Sequence, residues 1–229
     1  MSYFFKSLFS SREEPGIKLV VFDFDGTLAD TRKLLINIVK KHVAKFNISL
    51  TGHLINVFGN APLHDYLSIT GIRNDLVKSV AKSIEEDFVS DYLKIKACKK
   101  FNVVKEIKIR KVIVSNNSTE FIDRILKNWR VNYFEKVLGA DHFDNKVHAI
   151  KHLCNKYKIS AEEVVYIGDK DIDVDVARKV GCYSVVVSNS TSWSPRKDII
   201  SKKPDYLIKD LGTLPEVIKL INSAQLSSI

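Results

Sequence analysis

Four clusters of polar residues in this chain have types and spacings suited to chemistry. The first is Asp23-Phe24-Asp25-Gly26-Thr27, two carboxylates two positions apart ahead of a glycine and a threonine. The second is Ser115-Asn116-Asn117, the third is Lys146, and the fourth is Gly168-Asp169-Lys170-Asp171-Ile172-Asp173. Asp23 and Asp169 offer hard oxygen ligands of the kind Mg²⁺ takes in sparse carboxylate sets, where it keeps waters and accepts a substrate phosphate oxygen. Such an ion would neutralise Asp23 enough for it to approach a phosphoryl group. Ser115, Lys146 and the backbone amides near Gly26 and Asn116 would hold the remaining phosphate oxygens. An ionised Asp23 favours the protonated form of its neighbour Asp25. A protonated acid beside a leaving oxygen is a general acid, and after transfer it is a general base for water.

These residues need elements that bring them to one rim. Residues 19–22 are a continuous apolar run, bounded by Pro15-Gly16 and Gly26, which predicts a strand buried on both faces. Side chains two apart on a strand point the same way, so Asp23 and Asp25 are expected to aim together beyond its carboxyl end. Further short strands are expected at 111–115, 136–139, 163–168, 182–187 and 205–208, and helices at 119–129, 147–157, 173–180 and 214–221, with the serine-rich end frayed. Strands alternating with helices predict an α/β fold, a Rossmann-like parallel sheet with helices on both faces. Residues 32–97 break the alternation. They read as helical throughout, with Thr31 capping the first helix, Asn74 opening a longer one, and no strand. The expected organisation is an α/β core of residues 1–31 and 98–229, of which 1–14 are an aromatic extension, and an inserted all-α cap at 32–97. An insertion after the first strand sits over the site, as a lid would.

Bulk properties bound the partners. The 229 residues carry a formal net charge of +9, and 45% are apolar and 28% charged, as in an ordinary soluble globular protein. The positive balance favours anionic partners in general, phosphate esters, nucleic acid or a membrane surface, and does not choose among them. No lysine- or arginine-rich block is long enough to read as a nucleic-acid arm, so no nucleic acid is expected. No window approaches the ~20 apolar residues a membrane span requires. Cys98, Cys154 and Cys182 are widely spaced and odd in number, which argues for reduced thiols and a cytoplasmic setting.

The motifs Asp-Phe-Asp-Gly-Thr-Leu-Ala-Asp (23–30), Ser115, Lys146 and Gly-Asp-x-x-x-Asp (168–173), in this order, resemble the four motifs of the haloacid dehalogenase superfamily. The resemblance spans roughly residues 17–221 and is greatest for its phosphoglycolate phosphatase-like branch, with a helical cap of the first type. Supporting echoes are Gly59-Asn-Ala-Pro62, Asp173-Val-x-x-Ala-Arg-x-x-Gly181, Trp193-Ser-Pro195 and Pro204-Asp-Tyr206. The resemblance implies that Asp23 is the nucleophile and Asp25 the acid/base, with Thr27 supporting Asp25. It implies phosphate binding by Gly26, Thr27, Ser115, Asn116 and Lys146. It further implies Mg²⁺ held by Asp23, Asp25 (through its backbone carbonyl) and Asp169, with Asp173 acting through water or orienting Lys146. The chain departs from the branch in Val147, where proline usually follows the lysine, and in Lys170, where serine is usual. Lys151 is the alternative to Lys146.

The expected activity is Mg²⁺-dependent hydrolysis of a small phosphorylated metabolite, a phosphomonoester of the phosphoglycolate type. Its rivals are a phosphotransferase or sugar phosphomutase of the same superfamily and a non-catalytic anion-binding module. Thr27 stands against the sugar mutases, which usually carry valine there, and Asp25 against a dehalogenase, which lacks the second acid. The alternating acids 169, 171, 173 and 175 do not make a calcium loop, because Val174 and Val180 occupy its glycine and glutamate positions. His148 and His152 have the i, i+4 spacing of a zinc pair but no third ligand. His53, His64 and Arg73 in the helical insert are candidates to touch substrate. Oligomeric state is unreadable.

Overall fold

The structure is a computed structural model that describes residues 16–57 and 63–227, apart from the side chains of 53, 56 and 57. The aromatic extension and the Gly59-Asn-Ala-Pro62 echo lie outside the described residues. Strand β1 (Leu19–Phe22) is followed by β2 (Ala29–Asp30), then by helices α1 (Arg32–Ala44), α2 (Gly52–Val57), α3 (Leu63–Ser68) and α4 (Asn74–Ser90). The chain returns through β3 (Lys96–Ala97) to β4 (Arg110–Val114), α5 (Thr119–Asn128), β5 (Lys136–Leu138), α6 (Lys146–Tyr157) and β6 (Val164–Gly168). It ends with α7 (Asp171–Val180), β7 (Tyr183–Val187), α8 (Arg196–Ser201), β8 (Tyr206–Ile208) and α9 (Leu214–Leu226).

The main sheet has the order β5-β4-β1-β6-β7-β8, with every pairing parallel. Its central strand is β1, all four residues of which are buried. Alternation divides the strands between two apolar layers. Val20, Phe22, Ile113, Val165, Ile167 and Val185 belong to the layer that includes α5 and α9. Leu19, Val21, Val112, Val114 and Tyr166 belong to the layer that includes α6 and α7. Each such fully buried aliphatic side chain contributes about 1.5–3 kcal/mol relative to an exposed one. The chain leaves β1 toward β4 on one side and later returns to β6 on the other. The topological switch point therefore lies beyond the carboxyl ends of β1 and β6, the position where open α/β sheets bind ligands.

The described part of the insert carries α1 to α4, but the segment is stapled to the core by a short ribbon absent from the expected all-α pattern. Asp30 and Ala29 pair antiparallel with Lys96 and Ala97. Two-residue strands are too short to show an apolar/polar period, so no sequence signal marks them. Three other expectations need correction. Thr31 occupies the N-cap position of α1, but its hydroxyl makes no cap bond and is buried without a partner among the described residues. Helix α7 begins at Asp171 rather than Asp173. Helix α9 runs to Leu226, because Leu214, Val217, Ile218 and Ile221 form a buried stripe that carries the serine-containing turn along with it. All three cysteines are free and buried.

Candidate active site

Strand β1 ends at Phe22, and the chain turns at once. The Asp23 backbone N–H donates to the Ile167 carbonyl at 2.8 Å, which ties the residue after β1 to the end of β6. Phe24, fully buried, fills the core, and Leu28 and Ala29 donate back to its carbonyl at 2.9 Å. Gly26 makes this turn possible. Its φ is +76°, and a Cβ there would lie 2.2 Å from Asp169 Oδ2. The site thus requires glycine for both conformation and close approach. Because the strand has already ended, Asp23 and Asp25 do not share one pleated face. Asp23 is almost fully buried, Asp25 half-buried.

Three carboxylates converge at the switch point. Oxygens of Asp23, Asp169 and Asp173 all lie within 4.8 Å of one another, and all three residues are buried. Asp23 Oδ1 accepts from the Phe24 N–H at 2.7 Å. Asp169 follows β6 and accepts from the Trp193 backbone N–H at 2.5 Å and from the Thr27 hydroxyl at 3.4 Å. Thr27 therefore braces Asp169 and not, as the resemblance implied, Asp25. Asp173 sits in the first turn of α7, where its Oδ2 accepts from the N–H groups of Asp169 and Lys170 at 3.0 and 2.9 Å. These donors would otherwise be orphaned at the helix start.

Lys146 closes the network. Asn145 caps α6 by accepting from the His148 N–H at 3.0 Å, which fixes Lys146 as the first helical residue. Its Nζ lies 2.7 Å from Asp23 Oδ2 and 3.5 Å from Asp173 Oδ1. Lys151 is exposed on the same helix, whereas Lys146 reaches the carboxylates. Tyr166 completes the contact. Alternation along β6 sends it to the face covered by α6 and α7, so its phenol stands between Lys146 and Asp173. The hydroxyl accepts from Lys146 Nζ at 2.9 Å and donates to Asp173 Oδ1 at 2.9 Å.

Electrostatics follow from this burial. Burial, then the negative charge of Asp173, pushes Asp169 well above the ordinary carboxylate range. Burial also raises Asp23, against the attraction of Lys146. Burial would raise Asp173 too, but Lys146, Lys170, the Lys170 N–H and the Tyr166 hydroxyl outweigh it and hold Asp173 below its usual value. Lys146 is disfavoured by burial, yet Asp23 and Asp173 hold it above its ordinary range. Three buried carboxylates thus share the Lys146 ammonium and the more distant charge of Lys170, an excess of negative charge that costs stability unless a further cation or proton compensates. The donor set, hard oxygens only, fits a divalent ion of the Mg²⁺ type.

Ser115 follows β4 and is fully buried; its hydroxyl accepts from the Asn117 N–H at 3.2 Å. Asn116 is exposed. The amide that reaches the first motif is Asn117, whose Nδ2 donates to Asp25 Oδ2 at 2.5 Å. His148 and His152, read as a solvated helix face, are exposed, and His148 shares a hydrogen bond with Asn145. In the helical insert, Arg73 pairs outward with Asp75 and His64 with Asp65, both in solvent. The side chain of His53 lies outside the described residues.

Residues 20–187 match the family of haloacid dehalogenase-like hydrolases. The chain belongs to that family. A haloacid dehalogenase-like family hydrolase from Streptococcus pneumoniae superposes with a TM-score of 0.77 at 18% identity, covering 88% of this chain and 98% of that one, a likeness of fold. Among relatives, a phosphoglycolate phosphatase from Vibrio cholerae is 31% identical over 110 residues, which cover 46% of this chain and 48% of that protein. A phosphoglycolate phosphatase from Vibrio parahaemolyticus is 23% identical over 90% of this chain and 97% of its own length. A Caldanaerobacter subterraneus protein provisionally named pyrophosphatase PpaX is 28% identical over 89% of this chain and 95% of its own. As a haloacid dehalogenase-like hydrolase, the chain holds three features of its site that sequence reasoning missed. They are Asn117 on Asp25, Tyr166 between Lys146 and Asp173, and the Trp193 N–H on Asp169. The Asn pair offered a weak signal for the first. Tyr166 reads as strand core, and a backbone donor has no signature in sequence. No helix among the described residues is long and apolar enough to cross a membrane.

Proposed function

We propose that this protein is a Mg²⁺-dependent phosphatase acting on a small phosphomonoester of the phosphoglycolate type, through an aspartyl-phosphate on Asp23. One observation carries the reading: Lys146 Nζ lies 2.7 Å from an Asp23 carboxylate that shares its buried pocket with Asp169 and Asp173, at the switch point of the sheet. The relatives named as phosphoglycolate phosphatases and as a pyrophosphatase support the class of substrate.

The carboxylates of Asp23 and Asp169 and the backbone carbonyl of Asp25 would hold the metal, which when bound supplies neutralisation of phosphoryl and carboxylate charge. A carboxylate oxygen of Asp23 attacks phosphorus, and the bond from phosphorus to the ester oxygen breaks. Asp25, oriented by Asn117, gives its proton to the departing alkoxide. Asp25 then accepts a proton from water, the water oxygen attacks phosphorus, and the bond to Asp23 breaks with release of phosphate. Lys146 holds a phosphoryl oxygen, together with Ser115 and the amides near Gly26 and Asn116. Asp173 and Tyr166 fix the direction of the Lys146 ammonium. The inserted segment that carries α1 to α4 acts as a cap that excludes bulk water and strengthens these interactions. Positioning and charge neutralisation of this kind supply most of phosphoryl-transfer catalysis.

The reading is tested by measuring phosphate release from a phosphometabolite panel with Mg²⁺, with chelator, and with the Asp23→Asn variant as blank. Release by the wild type alone, lost on chelation, is expected. Isomerised product without phosphate release would instead mark a phosphomutase, and metal-dependent binding without turnover a sensor.

A further inference from the structure

A cleft of about 390 Å³ opens beside the acidic cluster. It is lined by Arg32, the first residue of α1, by residues 188–190 and 192–195 after β7, and by Arg196, the first residue of α8. Its lining contains two guanidinium groups and no carboxylate. Arg32 is half-buried, and its Nε is buried with no hydrogen-bond partner among the described residues. Shielding a guanidinium N–H from water without an acceptor is costly, and the usual remedy is an anion. The loop is held open by bonds of its own. Ser192 donates to the Val187 carbonyl at 2.9 Å, and Ser194 to Asp171 Oδ1 at 2.6 Å. Trp193 joins the cleft to the reaction site, because the residue that lines the cleft also gives its backbone N–H to Asp169. Lys170 adds positive charge, its Nζ 5.5 Å from the Trp193 ring.

We infer that this cleft binds a second anionic group on the substrate, the end remote from the phosphoryl group that is transferred. The substrate is then a phosphate ester or anhydride that carries a further carboxylate or phosphate. This rests on the phosphatase reading for its catalytic consequence, but the binding is separable from turnover. Arg32 and Arg196 give the second group charge-assisted hydrogen bonds, and the serine hydroxyls at 188 and 190 line the same cleft.

The test uses Arg32→Gln and Arg196→Gln, with Arg178→Gln, whose guanidinium pairs with Asp175 on the surface, as control. In the turnover arm, kcat/KM for phosphoglycolate and for pyrophosphate is divided by that for p-nitrophenyl phosphate, which has no second anion. In the binding arm, calorimetry on the Asp23→Asn background compares the same two ligands with inorganic phosphate. The cleft variants are expected to lower both ratios by about 10- to 100-fold, mainly through KM, as loss of a charged hydrogen bond does, while the control leaves them in place. A fall confined to phosphoglycolate assigns a carboxylate, and one confined to pyrophosphate a phosphate. Ratios unchanged for both ligands in the binding arm overturn the inference. Absence of turnover with the binding ratios still falling would overturn the phosphatase reading and leave the second-anion site standing.

Discussion

The charged groups of the α/β core and those of the helical insert are arranged in opposite ways. In the core, Asp23, Asp169, Asp173, Lys146 and Tyr166 are interlocked, and each touches at least one other through a buried polar contact or shares the 4.8 Å cluster. In the insert, charges such as Arg73 with Asp75 and Lys82 with Glu86 meet in pairs at the surface, and the buried His42 and exposed Lys41 share the half-buried Asp87. Surface pairs of that kind are worth little, because water and salt screen them. A buried network cannot relax when one member is removed, so its cost falls on the whole site. Turnover should therefore respond steeply to changes in the core network, while changes to pairs in the insert should reach only stability.

The largest break is Asp23→Asn, which keeps size and hydrogen bonding but removes the attacking carboxylate. Turnover should fall by ~10³-fold or more, the order seen when a nucleophile is removed, with the circular-dichroism spectrum unchanged. Next is Gly26→Ala. A methyl group would meet Asp169 Oδ2 at 2.2 Å in a backbone at φ +76°, so the turn or the carboxylate must move. A stability loss of about 1–3 kcal/mol from the strained backbone, read by denaturant melts, should accompany a large loss of turnover. A fully active, fully stable Gly26→Ala variant would show that the turn does not hold the cluster together.

Tyr166→Phe sharpens the comparison, because it removes one buried oxygen and nothing else. Lys146 loses an acceptor and Asp173 a donor. An unsatisfied buried group costs about 1–3 kcal/mol. The expected outcome is a drop of roughly tenfold in kcat by the same principle, with KM little changed, since the phenol positions the lysine rather than touching substrate. A change in KM alone would place Tyr166 at the substrate.

The smallest effect belongs to the insert. Asp87 on α4 accepts from Lys41 at 3.0 Å and meets His42 at 2.9 Å, both on α1. Its carboxyl is held below the usual range by the His42 hydrogen bond first and Lys41 second. A carboxyl depressed in the folded state stabilises above its unfolded value, ~3.9, and that contribution is lost as pH falls through the lower folded value. The Tm difference between wild type and Asp87→Asn should be present at neutral pH and close in acid, with turnover at neutral pH unaffected. A large loss of turnover would mean that the insert's pairs are coupled to the core after all.

The same contrast explains what could be read from sequence. The core strands and their four polar rim features were legible, because buried parallel strands leave apolar runs bounded by turn residues, and acids at strand ends stand out against them. Lys146 was legible for its place at the head of a helix with an apolar stripe. The internal wiring was not. Thr27, which the resemblance implied on Asp25, lies on Asp169, a contact made in the turn that follows Phe22. That Asn117 reaches Asp25 had no sequence signature, since which side chain of a loop faces inward follows no period. The β2–β3 ribbon escaped because each strand is two residues long. Arg32 gave no signal at all, because a half-buried guanidinium is visible only once α1 and the loop after β7 are brought together.

The central claim is that Asp23 carries the phosphoryl group during turnover. Single-turnover reactions with excess enzyme, quenched in acid and digested, would place the group by mass spectrometry. A transient phosphoryl adduct on the peptide at Asp23, formed and lost at rates that match phosphate release, is the predicted result. Phosphate release at full rate with no adduct on Asp23 at any time would contradict the account.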